Sequence, residues 1–295
     1  MKRFRSNGKL LLTGEYLVLD GALALAIPTA YGQTLEVNST DGNGINWKSF
    51  ESNGKCWFES SFHLGDNPGS TLKKTLIEIL REAKKLNPGF LAESDGVSVK
   101  TTLDFPRDWG LGTSSTLVNN IAQWADVDPF KLLWNSFGGS GYDVAAASRD
   151  TPILYSVKDD LPKITPVRID WPFLDALHFV HLNIKQDSKE GIAAYRKVNF
   201  DASVQARISK LSMEVLSCES LEEFISLMEL HESIISNLLG IPRIKETLFY
   251  DYPGLVKSLG AWGGDFVLVS GTEAELHYFK ERGYETCIPF KEMIK

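Results

Sequence analysis

The sequence predicts a mixed α and β protein of two domains or one large one. Three observations carry this. The chain has 295 residues, more than one ordinary domain needs. Short apolar runs bounded by turn residues share it with longer stretches at helical spacing. A connector punctuated by Pro162, Pro166 and Pro172 is the candidate domain boundary. Hydrophobic residues at 43% and charged residues at 23% allow a sizeable core.

Residues 1–40 read as strand, turn, strand. Leu10, Leu11 and Leu12 form one apolar run, and residues 16–19 form another. Asp20-Gly21 is a turn dipeptide before residues 22–27. Lys9 follows Gly8 at the edge of a core strand, and Glu15 follows Gly14. By residue type alone, both are solvated hairpin charges. Residues 38–70 read as short strands and an irregular loop. Residues 71–86 predict a helix, with Leu72, Leu76, Ile79, Leu80 and Ala83 on one face. Asn87-Pro88-Gly89 stops it. Residues 97–103 alternate as a strand.

In the second half, residues 130–134 read as helix and 151–157 as strand. Residues 176–183 form an apolar strand carrying His178 and His181, with no third metal ligand near. Residues 201–216 and 220–240 are two amphipathic helices, the second ended by Gly240-Ile241-Pro242. A short helix at 244–250, a strand at 266–269 and a terminal helix at 273–282 complete the chain.

Charge narrows the function classes. A net charge of −7 gives nucleic-acid binding no electrostatic support. An anionic small substrate still fits, because a local basic pocket can sit on an acidic protein. Cys56, Cys218 and Cys287 are odd in number and far apart, which suits a reducing cytoplasm and no disulfide framework. Lys2, Arg3 and Arg5 precede three leucines, but Thr13-Gly14-Glu15 ends that run at once, against a signal peptide. No run approaches the ~20 apolar residues of a membrane span.

The chemistry centres on residues 106–124, PRDWGLGTSSTLVNNIAQW. Gly110 and Gly112 flank Leu111, and Thr113, Ser114, Ser115 and Thr116 open an apolar helical pattern. A glycine loop entering a helix offers unpaired backbone N–H groups and the positive end of the helix dipole, which attract phosphate. The alternative is a tight loop with an ordinary Ser/Thr cap. No Gly-Lys-Ser/Thr follows, so this is no Walker A loop, and the G-x-G-x-x-G spacing is absent. A second glycine loop, Gly138 to Gly141, runs into a helix with Asp143 at its start, where Asp143 also reads as an N-cap. A third, residues 257–270, enters the strand at 266.

Three separated blocks resemble the GHMP kinases, the superfamily of galactokinase, homoserine kinase, mevalonate kinase and phosphomevalonate kinase. Residues 8–19, GKLLLTGEYLVL, resemble the first motif. Residues 106–116 resemble the second, PxxxGLGSSAA, with Thr113 in place of its first serine. Gly260-Ala261-Trp262-Gly263-Gly264-Asp265 resembles the third, with Trp262 in place of a glycine. Details are similar to phosphomevalonate kinases: Gly-Glu-Tyr at 14–16, GSGYDVAA at 139–146, and Gly264-Asp265. Leu132 stands where mevalonate kinases carry a metal-binding glutamate. Residues 185–189 depart from the Ser-Thr pattern that follows that strand in the family.

The resemblance implies a two-domain α+β GHMP kinase fold. A ribosomal S5 domain 2-like N-terminal domain would span residues 1–165, and a ferredoxin-like C-terminal domain residues 166–295. The site would lie between them. It implies ATP and Mg²⁺ as cofactors, with Gly110, Leu111, Gly112, Thr113, Ser114 and Ser115 at the nucleotide and Ser114 at the metal. Lys9 and Asp143 match the catalytic positions. Glu15, Tyr16, Ser140, Gly141, Gly263 and Gly264 match substrate-binding positions. The expected activity is phosphorylation of 5-phosphomevalonate in the mevalonate pathway of isoprenoid biosynthesis. Mevalonate or another alcohol is the alternative acceptor, and a catalytically silent ligand sensor the alternative role. The expected partner is a small molecule, without nucleic acid or membrane, and a homodimer is left open.

Overall fold

The computed structural model describes residues 1–67, 69–92, 96–159, 161–184, 188–262 and 264–295. In chain order its first half holds β1 (Lys2–Thr13), a 3-10 turn (Leu17–Asp20), β2 (Ala24–Thr40), β3 (Ile45–Phe50), β4 (Cys56–Phe62), α1 (Thr71–Leu86), β5 (Gly96–Leu103), α2 (Thr113–Ala125), α3 (Pro129–Ser136) and α4 (Tyr142–Ala147). There follow β6 (Ile153–Lys158), β7 (Leu161–Pro166), β8 (Leu177–His181), α5 (Ser188–Tyr195), α6 (Ala202–Glu214), α7 (Leu221–Leu239) and α8 (Ile244–Leu248). The chain closes with β9 (Val256–Ser258), β10 (Phe266–Ser270), α9 (Glu273–Lys280), β11 (Cys287–Pro289) and α10 (Phe290–Met293). The chain divides into two compact units. One comprises residues 1–8, 31–107 and 111–148, the other residues 9–30, 108–110 and 149–295.

In the first unit, β3 lies between antiparallel β4 and parallel β5, and the second half of β2 runs antiparallel to β5. A parallel neighbour needs a crossover, which α1 supplies between β4 and β5. Ser70 caps α1 by accepting from the Lys73 N–H. The helix buries Leu76, Ile77, Ile79, Leu80 and Ala83 against Trp47, Val99, Val118 and Ile121. Leu132 of α3 lies in the same core, fully buried. An ionised glutamate there would have to leave water, so leucine suits the position.

In the second unit, β8, the α5–α8 helices, β9, β10, α9 and β11 follow a βαββαβ order. The sheet runs β11-β8-β10-β9, all antiparallel, which is the ferredoxin-like arrangement. Its core gathers Val180, Phe249, Tyr252, Val267, Val269 and Phe279. A second cluster joins Tyr16 and Leu17 to Tyr195, Ile208, Ile235 and Trp262. The first half of β2 pairs with β6, and β6 with β7.

Two expectations are corrected here. The run at 16–19 is not a strand: Leu17–Asp20 form a 3-10 turn, because Tyr16 before it takes φ 61° and Gly21 ends it at φ 87°. The proline-punctuated segment contains β7, an edge strand that among the described residues is bonded to β6 alone. Pro162 and Pro166 are tolerated because an edge strand leaves one row of ladder positions unused.

Candidate active site

In the first unit, Gly112 precedes α2 with φ 92° and ψ 47°, and no side chain caps the helix. The Ser115 hydroxyl donates to the Gly112 carbonyl at 3.0 Å. Thr116 donates to the same carbonyl at 3.0 Å. These hydroxyls turn back onto a carbonyl and leave the first-turn N–H groups to face outward. The alternative reading, an ordinary Ser/Thr cap, does not hold: the cap position is a glycine in the left-handed region. Thr113 is half-buried, Ser114 is exposed, Ser115 is buried, and Leu111 is anchored in the core.

Buried amides hold α2 in place. Asn120 Nδ2 donates to the Gln33 carbonyl at 3.0 Å, and the Ser6 hydroxyl donates to Asn120 Oδ1 at 2.8 Å. Asn119 Nδ2 donates to Ser6 Oγ at 2.8 Å. Sequence reasoning missed these residues. The available signal was two adjacent asparagines between the apolar residues Val118 and Ile121.

Ser140 and Gly141 are buried at the start of α4, which packs against α2. Gly141 takes the cap position at φ 88°, so Asp143 is not the N-cap. Asp143 lies in the first turn, half-buried, and its Oδ1 accepts the Val144 N–H at 2.9 Å.

In the second unit, Lys9 is half-buried, and its ammonium donates to the Gly110 carbonyl at 2.9 Å. Gly110 has φ 65°, and a Cβ there would run into the Asp265 carboxylate. Lys9 and Asp265 thus both meet Gly110. Beside it, Trp109 stands edge-on to Phe266 with ring centroids 5.4 Å apart. His181 Nε2 lies 3.2 Å from the Asp108 carbonyl. The Asp265 N–H donates to Ile184 at 2.7 Å, which straps the third glycine motif to the segment after β8. Gly264 is buried, while Gly263 and residues 185–187 lie outside the described residues.

Glu15 and Tyr16 come together with the 261–262 segment. The Tyr16 hydroxyl donates to the Ala261 carbonyl at 2.8 Å. Burial, followed by the Glu15 charge, pushes this hydroxyl up to about 12, so it stays a donor at neutral pH. The Glu15 carboxylate is fully buried and sits 2.6 Å from the Lys257 ammonium. It is no solvated hairpin charge, and it has no exposed surface with which to touch a ligand. Lys257, His231 and Glu232 around it carried no sequence signal, because their partner is far away in the chain.

No protein-family model and no curated protein matches the sequence. Solved structures do match. A mevalonate kinase superposes with TM-score 0.73 at 17% identity, over 100% of both chains. The Methanococcus jannaschii mevalonate kinase gives 0.72 at 17% identity, over 98% of each chain. The Streptococcus pneumoniae phosphomevalonate kinase, in complex with phosphomevalonate and AMPPNP, gives 0.72 at 19% identity, over 96% of each. The chain has the GHMP kinase fold.

On this GHMP kinase fold, the start of α2 suits an anion. It has a glycine cap, no side-chain acceptor and an exposed Ser114 hydroxyl. Among the described residues, no group of three His, Cys, Asp or Glu side chains is placed to hold a metal. No helix among the described residues is long and apolar enough to cross a membrane.

Proposed function

We propose that this chain is an ATP-dependent small-molecule kinase whose acceptor is 5-phosphomevalonate. The observation that carries the reading is the uncapped, glycine-led start of α2, in the chain position of the superfamily's phosphate loop. MgATP supplies the phosphoryl group. The acceptor oxygen bonds to the γ-phosphorus as the bond to the β-phosphate oxygen breaks, and ADP leaves. Phosphoryl transfer of this kind depends mainly on positioning and charge neutralisation.

In this reading Gly110 to Ser115 hold the phosphates, and Ser114 contributes to the metal. Lys9 neutralises charge on the transferring group and the acceptor. Asp143 orients the acceptor, or takes its proton when the acceptor is an alcohol. A phosphate acceptor is already ionised at neutral pH and leaves Asp143 the smaller task. Tyr16, Ser140, Gly141, Gly263 and Gly264 belong to the acceptor side, and Glu15 serves that side from behind Tyr16.

The 5-phosphomevalonate assignment is supported by Gly-Glu-Tyr at 14–16, GSGYDVAA at 139–146 and Leu132. Fold likeness does not separate the two acceptors, since both kinds of kinase superpose equally well. The test is ATP turnover with 5-phosphomevalonate, mevalonate, homoserine and galactose. The highest kcat/KM is expected for 5-phosphomevalonate. A preference for mevalonate overturns the acceptor. Binding of nucleotide or acceptor with no turnover of any of the four points to a ligand sensor.

A further inference from the structure

The second unit contains a closed chain of contacts that ties the first motif to the third. Lys257, on β9, is fully buried. Its ammonium donates to Glu15 Oε1 at 2.6 Å and to the Ser258 carbonyl at 2.8 Å. Glu232 Oε1 faces it at 3.8 Å from α7. His231, also on α7, accepts the Gly14 N–H on Nε2 at 3.0 Å and lies 3.2 Å from Glu15 Oε2. An acceptor at Nε2 means that the neutral ring carries its proton on Nδ1. Burial and the Lys257 charge hold His231 well below its ordinary range, which keeps it neutral.

The chain continues through the backbone. Tyr16 takes φ 61° and ψ −50°, a conformation that side chains other than glycine rarely adopt. The turn is held by the Leu17 N–H on the Glu15 carbonyl at 2.7 Å and the Val18 N–H on Gly14 at 3.0 Å. The Tyr16 ring lies 5.5 Å from that of Tyr195, whose hydroxyl donates to Asp20 at 2.5 Å. At its far end, the Tyr16 hydroxyl holds Ala261, next to Trp262, which is itself at φ 55° and packs in the same cluster. Two side chains with positive φ in one cluster are strained unless their surroundings impose them.

We propose that Lys257 is a positioning residue: through Glu15 it imposes the Tyr16 turn, and through the Tyr16 hydroxyl it sets the loop at 259–262. Its effect on the acceptor rests on the kinase reading above. A buried ion pair is a poor device for stability, because an apolar pair of similar size often does as well or better. What an apolar pair lacks is a fixed direction. The ammonium bonds to Glu15 and to the Ser258 carbonyl together, so it locks the turn and β9 in one geometry.

This distinction sets the experiment. The variant Glu15→Leu with Lys257→Met replaces the pair by apolar groups, and Glu232→Gln is added so that no buried carboxylate is left facing the lost ammonium. Tyr16→Phe removes only the latch hydroxyl and serves if the first variant does not fold. Amide hydrogen exchange is followed at residues 14–18 and 259–262, with α2 as the internal control. In the pair variant, exchange is expected to rise in both segments and stay unchanged in α2. In Tyr16→Phe, it rises at 259–262. In turnover, KM for the acceptor rises and KM for ATP does not, with acceptor kcat/KM falling by about 10–100-fold. Unchanged exchange at 259–262, or an equal rise in α2, overturns the proposal. Wild-type protein that turns over no acceptor defeats the kinase reading alone, since the exchange measurement still decides whether Lys257 positions the loop.

Discussion

Lys9 and Gly110, 101 positions apart in the chain, are joined by a 2.9 Å bond from the ammonium to the glycine carbonyl. The bond places the one basic side chain of the first motif directly on the loop that leads into α2. Asp265 of the third motif packs on the same glycine. The three motifs singled out in the sequence thus meet around Gly110.

On the kinase reading proposed above, replacing Lys9 by methionine removes a charge needed most when negative charge develops on the transferred group. Lys9→Met is expected to lower kcat by about 10²–10³ and leave nucleotide affinity largely intact. Asp143→Asn is expected to cost less than ~10² with a phosphate acceptor, because no proton must leave. Steady-state kinetics, with calorimetric ATP binding as the control, checks both. Wild-type turnover in Lys9→Met removes Lys9 from the mechanism.

Gly112 stands at φ 92°, where a branched side chain is strained and would also fill the approach to the first-turn N–H groups. Gly112→Val is expected to weaken ATP by at least tenfold, ~1.4 kcal/mol. Titration calorimetry measures it. Unchanged affinity would move the phosphate site away from α2.

Asn120 is fully buried and bonded to both Ser6 and Gln33. Asn120→Ala strands the Gln33 carbonyl without its donor, and an unmade buried bond costs about 1–3 kcal/mol. Urea unfolding is expected to show a loss in that range. A change near zero would mean that α2 is held by its apolar face alone.

Burial pushes the Glu232 carboxyl up to about 8, with Lys257 pulling it down and Glu15 pushing it up. The ordinary value is 4.5, so between these values the folded protein keeps a proton that the unfolded chain has lost. Stability from this group therefore falls as pH rises through the window, by up to ~1.4 kcal/mol per pH unit. Burial also raises Glu15, which acts in the same direction. His231 is depressed and acts in the opposite direction below its ordinary 6.5, so the clean interval runs from 6.5 to about 8. Urea midpoints across it are expected to fall in the wild type, and less steeply in Glu232→Gln. Equal slopes would remove Glu232 as the cause.

Local features were legible from the residues. The apolar positions at 76, 79, 80 and 83 and the Asn87 stop define α1 without any distant partner, whereas Leu72 of the same predicted face stays exposed. The glycines at 110, 112 and 141 marked loops entering helices, and in the structure all three take positive φ. The order of the three motifs pointed to the fold that the solved structures share.

Distant pairings were not legible. Glu15 reads as an exposed charge until Lys257, 242 positions later, neutralises it in the core. The β7 prolines read as a linker until β6 supplies a strand to pair with on one side. Thr116 reads as one more hydroxyl of the helix start until the buried Gln33, 83 positions earlier, accepts from it at 3.2 Å. The sequence by itself determined periodicity, turn chemistry and motif order, because these depend on neighbours within a few residues. Only the tertiary structure decided which charges leave water and which hydroxyls turn inward, because the cost of burial depends on the partner that arrives from elsewhere in the chain.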